Sequence, residues 1–220
     1  FSRWSQTFER RISDIFAVQS EIAATVAGAL ASRVASGAGT GDKVADVVAA
    51  GGTLNLAAFD AYLRGRALYD LAADEASEAA ALAQFDAAIA ADPAYAAAHA
   101  ARARSLTTIA NQYGEVTRRA GLYDAAIASA ERAIAIAPDL ADAHSTLGFT
   151  LFQGRLDARA ARQPFERSVL SGSGEATVLA RYAQYSARTG RDSAALTAMQ
   201  RALRLDPLNP LIYRAAGSVE

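Results

Sequence analysis

Two imidazoles and four clustered carboxylates are the side chains best suited to chemistry in this 220-residue chain. His99 and His144 could hold a metal or move a proton near neutral pH. The chain has no cysteine to join them and no carboxylate cluster close to either, so they make a poor metal site. Asp70, Asp74, Glu75 and Glu78 gather around a turn between two helical stretches, where acidic side chains cap a first turn and meet the positive end of a helix dipole. The nucleophile elbow, the phosphate-binding Gly-Lys-Ser/Thr loop and the His-Glu-x-x-His pair are all absent from the sequence. Gly37-Ala38-Gly39-Thr40-Gly41 is glycine-rich, but no strand precedes it, and it reads as a linker. No catalytic set, metal site or cofactor site emerges, and the chain is expected not to be an enzyme.

The bulk of the sequence must therefore serve to build a surface. Apolar residues make up 52% and charged residues 20%, ample for a core and too apolar for disorder. No apolar run reaches the roughly 18 residues of a membrane span, so a soluble, cytoplasmic protein is expected. Alanine far exceeds ordinary usage; it is the best helix former and lets helices approach closely, which predicts an all-α fold of tight helix pairs. The net charge of −1 offers no field to recruit nucleic acid, although Arg102, Arg104, Arg118 and Arg119 keep that reading open to a mobility-shift test. Lys43 is the sole lysine among the cations, a bias that composition alone explains.

The elements follow a repeat. Small residues at helical spacing lead to Asp92-Pro93, Ala137-Pro138 and Asp206-Pro207. Proline ends the helix before it and suits the start of the next. Pro138 to Pro207 spans 69 residues, two units of about 34, whereas Pro93 to Pro138 spans 45, one unit and about 11 more, placed near Asn111 to Ala120. Helix pairs are predicted at 56–72 with 76–91, 95–112 with 121–136, 140–153 with 157–170, and 175–189 with 192–205, with a further helix opening near Pro210. Upstream, Ser13 caps a helix to about Val34 whose Ile15, Phe16, Val18, Ile22, Val26 and Leu30 share a face. The division is then 1–36 as a helical segment, 37–54 as a linker and 55–220 as repeats. Phe1 in place of Met and an end at Glu220 within a helix make both termini read as cut from a longer chain, with 1–36 the tail of an upstream domain.

In the third pair Ala143-His144, Leu147-Gly148, Leu151, Gly154, Ala160, Phe165 and Ser168, and in the fourth Leu179, Tyr182-Ala183, Gly190, Ala195, Met199, Ala202 and Pro207, resemble the tetratricopeptide repeat pattern. Gly65, Ala81, Phe85, Ala88 and Pro93 carry it in the first pair, and His99, Ala103, Gly121, Ala126, Ala133 and Pro138 in the second. The resemblance implies a right-handed superhelix of α-hairpins, four pairs plus the start of a fifth, binding a protein or peptide in a concave groove. It places both histidines at the fourth position of a first helix, where a packing residue belongs. The groove residues it implies are Phe59, Tyr62, Arg66, Tyr69, Arg104, Phe149, Phe152, Gln153, Gln184 and Arg188, suited to a segment with acidic and apolar residues. The aromatic members could equally pack between helices. The lysine and asparagine clamp of chaperone-binding repeats is absent, its positions including Ala97, Ala100 and Ala101.

The opening segment, with Trp4-Ser5-Gln6-Thr7-Phe8-Glu9-Arg10, Asp14-Ile15-Phe16 and Phe59-Asp60-Ala61-Tyr62-Leu63-Arg64-Gly65, is similar to the junction in bacterial regulators where a TolB-like domain leads into such repeats. That likeness implies an interaction or sensing module of a winged-helix regulator, or the non-catalytic part of a class III adenylate/guanylate cyclase. The apolar stripe of the 13–34 helix could dock on the repeats or form a homodimer seam.

Overall fold

The structure, a computed structural model, describes residues 46–71 and 74–217. The chain divides into two units, 1–46 and 47–220. The helix expected over 13–34, and with it the dimer seam, lies outside the described residues.

The second unit is a run of antiparallel helical hairpins. They pair α1 (Leu56–Leu71) with α2 (Glu75–Ala91), α3 (Ala96–Gln112) with α4 (Val116–Ile136), α5 (Ala141–Phe149) with α6 (Ala158–Ser171), and α7 (Ala176–Arg188) with α8 (Asp192–Leu205); α9 (Pro210–Ala216) follows. No strand occurs among the described residues. Each hairpin packs mainly within itself and then on the next, and the first helices touch in succession, α1 with α3, α3 with α5 and α5 with α7. The first helices therefore line one face of the stack.

The proline punctuation works as its chemistry requires. Asp92, Ala137 and Asp206 end α2, α4 and α8 outside the helical region, with ψ of 96°, 88° and 78°, as the proline that follows each favours. Each also gives its N–H to the carbonyl four residues back. Hairpin-to-hairpin joints are uniformly four residues, 92–95, 137–140, 172–175 and 206–209.

The extra length of the second pair corrects the sequence expectation. It is not an expanded connection near 111–120 with a second helix starting at 121; α4 begins at Val116 and the turn is 113–115, three residues like the turn 189–191. Measured against α7 and α8 (13 and 14 residues), α3 and α4 (17 and 21) are longer by 4 and 7, which is the whole surplus of 11. Helical surplus costs no closure entropy and keeps the backbone bonded. Arg119 closes the tip by donating from Nη2 to the Gly114 carbonyl at 2.9 Å.

The third pair also hides an insertion. The residues that end α4, α6 and α8, namely Ala137, Gly172 and Asp206, are 35 and then 34 apart. The additional residue is absorbed after Phe149, where α5 widens into a π-turn over Thr150–Gly154. The small residue facing α5 is accordingly Ala161, fully buried, and not Ala160, which is exposed.

Small residues set the approach of the pairs. A Cβ built on Gly148 would lie 2.9 Å from the Phe165 ring, and one on Gly65 2.6 Å from Phe85. In the fourth pair Ala183 and Met199, both buried, share one cluster. Between the second and third pairs the contact is alanine alone at its centre, Ala96, Ala100, Ala133, Ala137 and Ala143. Beside it the Thr107 and Thr150 hydroxyls, both buried, meet at 2.7 Å, and each is also within reach of the carbonyl four residues back in its own helix; with one proton apiece, one hydroxyl donates to the other, which donates to its own carbonyl.

Candidate functional site

The histidines are structural. His99 and His144 are buried, and their Nε2 atoms lie 3.1 and 2.8 Å from the carbonyls of Pro93 and Pro138. Each thus ties the start of a hairpin to the proline at its boundary. Burial holds the His99 imidazole below its ordinary range, with Arg132 and Arg102 acting the same way against the Pro93 bond. Among the described residues no three metal-ligating side chains come together. Asp74 is the N-cap of α2, accepting from the Ser77 N–H at 2.8 Å and from its hydroxyl at 2.7 Å. Glu78 is a different case: it is 2% exposed and its Oε2 has no hydrogen-bond partner, so capping does not account for it.

The face built by α1, α3, α5 and α7 carries the arginines and aromatics. Tyr62 packs its ring 5.1 Å from Tyr95 and 6.0 Å from Phe85, and Arg66, exposed, lies close to its phenol. Burial pushes that phenol up, against the pull of Arg66 and Arg104. Tyr69 bonds Thr108 across α1 and α3 (3.1 Å), and the Arg104 guanidinium sits 4.8 Å from the Tyr69 ring centre. Phe59 is half-buried in the cluster around Ala58 and Tyr95. Tyr62, Arg66, Tyr69 and Arg104 are therefore neighbours.

Farther along, the aromatics serve packing as well. The Phe149 ring lies under the Arg181 guanidinium at 5.3 Å, and Phe152 meets Tyr185 edge-on at 5.2 Å. Phe152 and Gln153 lie in the π-turn, so the α-helical spacing that put them on one face with Phe149 breaks at Thr150. Gln184 is half-buried and Arg188 exposed near the end of α7.

The centre of the face holds a cluster from three first helices. Asp142 of α5 stands between two arginines, 3.5 Å from Arg104 Nη1 of α3 and 3.7 Å from Arg181 Nη1 of α7. Arg181 also donates to Thr146 Oγ1 at 3.2 Å. The three side chains are only 19%, 25% and 18% exposed for Arg104, Asp142 and Arg181. Desolvation lowers the affinity of Arg181 for its proton and Asp142 works against that; for Arg104 the net direction is upward, burial being outweighed by Asp142, Tyr69, Tyr62 and Asp70. Both remain cations, since a guanidinium does not titrate in proteins.

Asp142 and Arg181 were absent from the residues nominated by sequence. Asp142 stands six residues before Gly148, as Phe59 stands six before Gly65, and could have been found by that register. Arg181, the sixth residue of α7, is three residues before the nominated Gln184, and only the neighbouring helix shows what it faces.

No protein-family model and no curated protein matches the sequence. Among solved structures the fold is similar to TTC0263, a thermophilic TPR protein of Thermus thermophilus, with a TM-score of 0.55 at 17% identity, covering 73% of this chain and 89% of that one. YrrB, described as a TPR protein with an unusual peptide-binding site, is matched at a TM-score of 0.36 and 15% identity over 73% of this chain and 92% of its own. The observed hairpin order and the first of these likenesses give the chain the fold of a tetratricopeptide-type helical solenoid.

Proposed function

We propose that this solenoid is a non-catalytic protein-interaction module, and that a partner segment lies along the face of its first helices. The supporting observation is the unbroken set of arginine and aromatic side chains from Tyr62 and Arg66 through Tyr69 and Arg104 to Phe149 and Arg181, drawn from four successive hairpins. Such residues supply large contact area and directional charge at interfaces. A groove of this kind suits an extended or helical segment with apolar anchors and carboxylates. The likeness of the opening segment to bacterial regulators supports a cytoplasmic regulatory setting, with the repeats as the sensing half.

Peptides selected on the 220-residue chain from a random 12-residue display library test this reading. Amide exchange mapped with and without a selected peptide is expected to slow in α1, α3, α5 and α7. Protection confined to α2, α4, α6 and α8 would overturn it.

A further inference from the structure

We propose that Asp142 is a resident stand-in for a ligand: its carboxylate occupies an anion seat formed by Arg104 and Arg181, and a carboxylate of an entering protein segment replaces it. This rests on the reading that the first-helix face receives such a segment.

The geometry of the seat is loose for a structural clasp. Charge-assisted N–H to carboxylate contacts are typically about 2.7–2.9 Å. Here one carboxylate is shared by two guanidiniums at 3.5 and 3.7 Å. Arg104 Nε is buried with no hydrogen-bond partner, and burying a charged donor unpaired is costly. Arg104 and Arg181 come from different hairpins, so neither owes the pairing to its own helix. The Tyr69 and Phe149 rings lie against the two guanidiniums and hold them in place from one side.

At close range two guanidiniums share the single carboxylate of Asp142. Asp70 and Glu78 also interact with Arg104, and burial pushes the Glu78 carboxyl up against the pull of that arginine. Glu175 is placed near Asp142, where like charge raises its carboxyl further beyond the effect of burial. Asp142 is the most exposed of the three central side chains and stands in the first turn of α5. A short side chain there can turn to water while both arginines stay seated. An acidic residue flanked by apolar ones is the segment this seat would take.

The test uses the display-selected peptides and three variants of the full chain. Acidic residues are expected to recur at one position of the peptides, and Arg104→Met or Arg181→Met should weaken binding of such a peptide about tenfold or more, with folding checked by thermal melts. Asp142→Asn, which keeps the shape and removes the competing charge, should tighten binding about threefold or more at low salt. Should an arginine variant fail to fold, the Asp142→Asn result decides. Unchanged or weaker binding in Asp142→Asn overturns the proposal, because a mere clasp would not compete with ligand. Peptides that map to the first-helix face but carry no acidic residue overturn the seat and leave the binding face standing; peptides that map elsewhere overturn both.

Discussion

Leu156 stands at φ +54°, in the hairpin turn 155–157, where Gly190 takes φ +71° in the turn 189–191. The left-handed region costs an L residue roughly 1–2 kcal/mol, and the Leu156 side chain, 84% exposed, recovers nothing by packing. Leu156→Gly removes that strain and loses roughly 0.5–1 kcal/mol to the greater freedom of the unfolded chain. A net gain of about 0.5–1 kcal/mol in a denaturant melt is the expected outcome; Gly190→Ala should lose about 1 kcal/mol. His99 carries a pH prediction. Its imidazole is held below its ordinary value, so the unfolded chain binds the proton more readily than the folded one. Stability is thus fully present above the unfolded value of about 6.5 and falls as pH drops through the folded one. The melting temperature of the native chain should drop more steeply on acidification than that of His99→Gln.

The hairpin is the unit in which packing is decided. Gly148 and Phe165 are in contact at the waist of the third hairpin, and a methyl at 148 would press on a fully buried ring. Gly148→Ala should cost about 1–3 kcal/mol, and Phe165→Leu in the same chain should recover part of it, as seen by thermal melts. Ordinary periodicity revealed most of this level. Proline marked three of the four hairpin joints, small residues at fixed offsets marked the close faces, and the two histidines repeated one packing role. The element bounds failed where residues were added without a break in pattern. Seven extra residues in α4 continue the same small and charged spacing, so nothing in the chain says they stay helical. A single added residue in the third hairpin has no compositional mark, and the π-turn that swallows it shifted the small position from Ala160 to Ala161. The central cluster was half legible. Arg104, Tyr69 and Phe149 follow from position in the repeat, whereas the meeting of Asp142 with Arg181 depends on how adjacent hairpins are offset.

In a stack where each hairpin touches its neighbours, stability is a sum of local terms and is lowest where a neighbour is missing. Native-state hydrogen exchange should show the strongest protection in α3 and α5 and faster opening in α9, which packs mainly on α7 and α8; uniform protection through the unit would contradict this. The alanine contact between the second and third hairpins poses a question of its own. Methyl against methyl at the centre is a smooth surface that does little to fix its own register, although Ile134, Ile136 and Leu140 pack against it. The Thr107 and Thr150 hydroxyls, joined at 2.7 Å between the same two hairpins, behave as a dowel. Slippage would break that bond between oxygens and part Arg104 from Asp142 across the same two hairpins, so polar contacts select an alignment that the methyl contacts leave undecided.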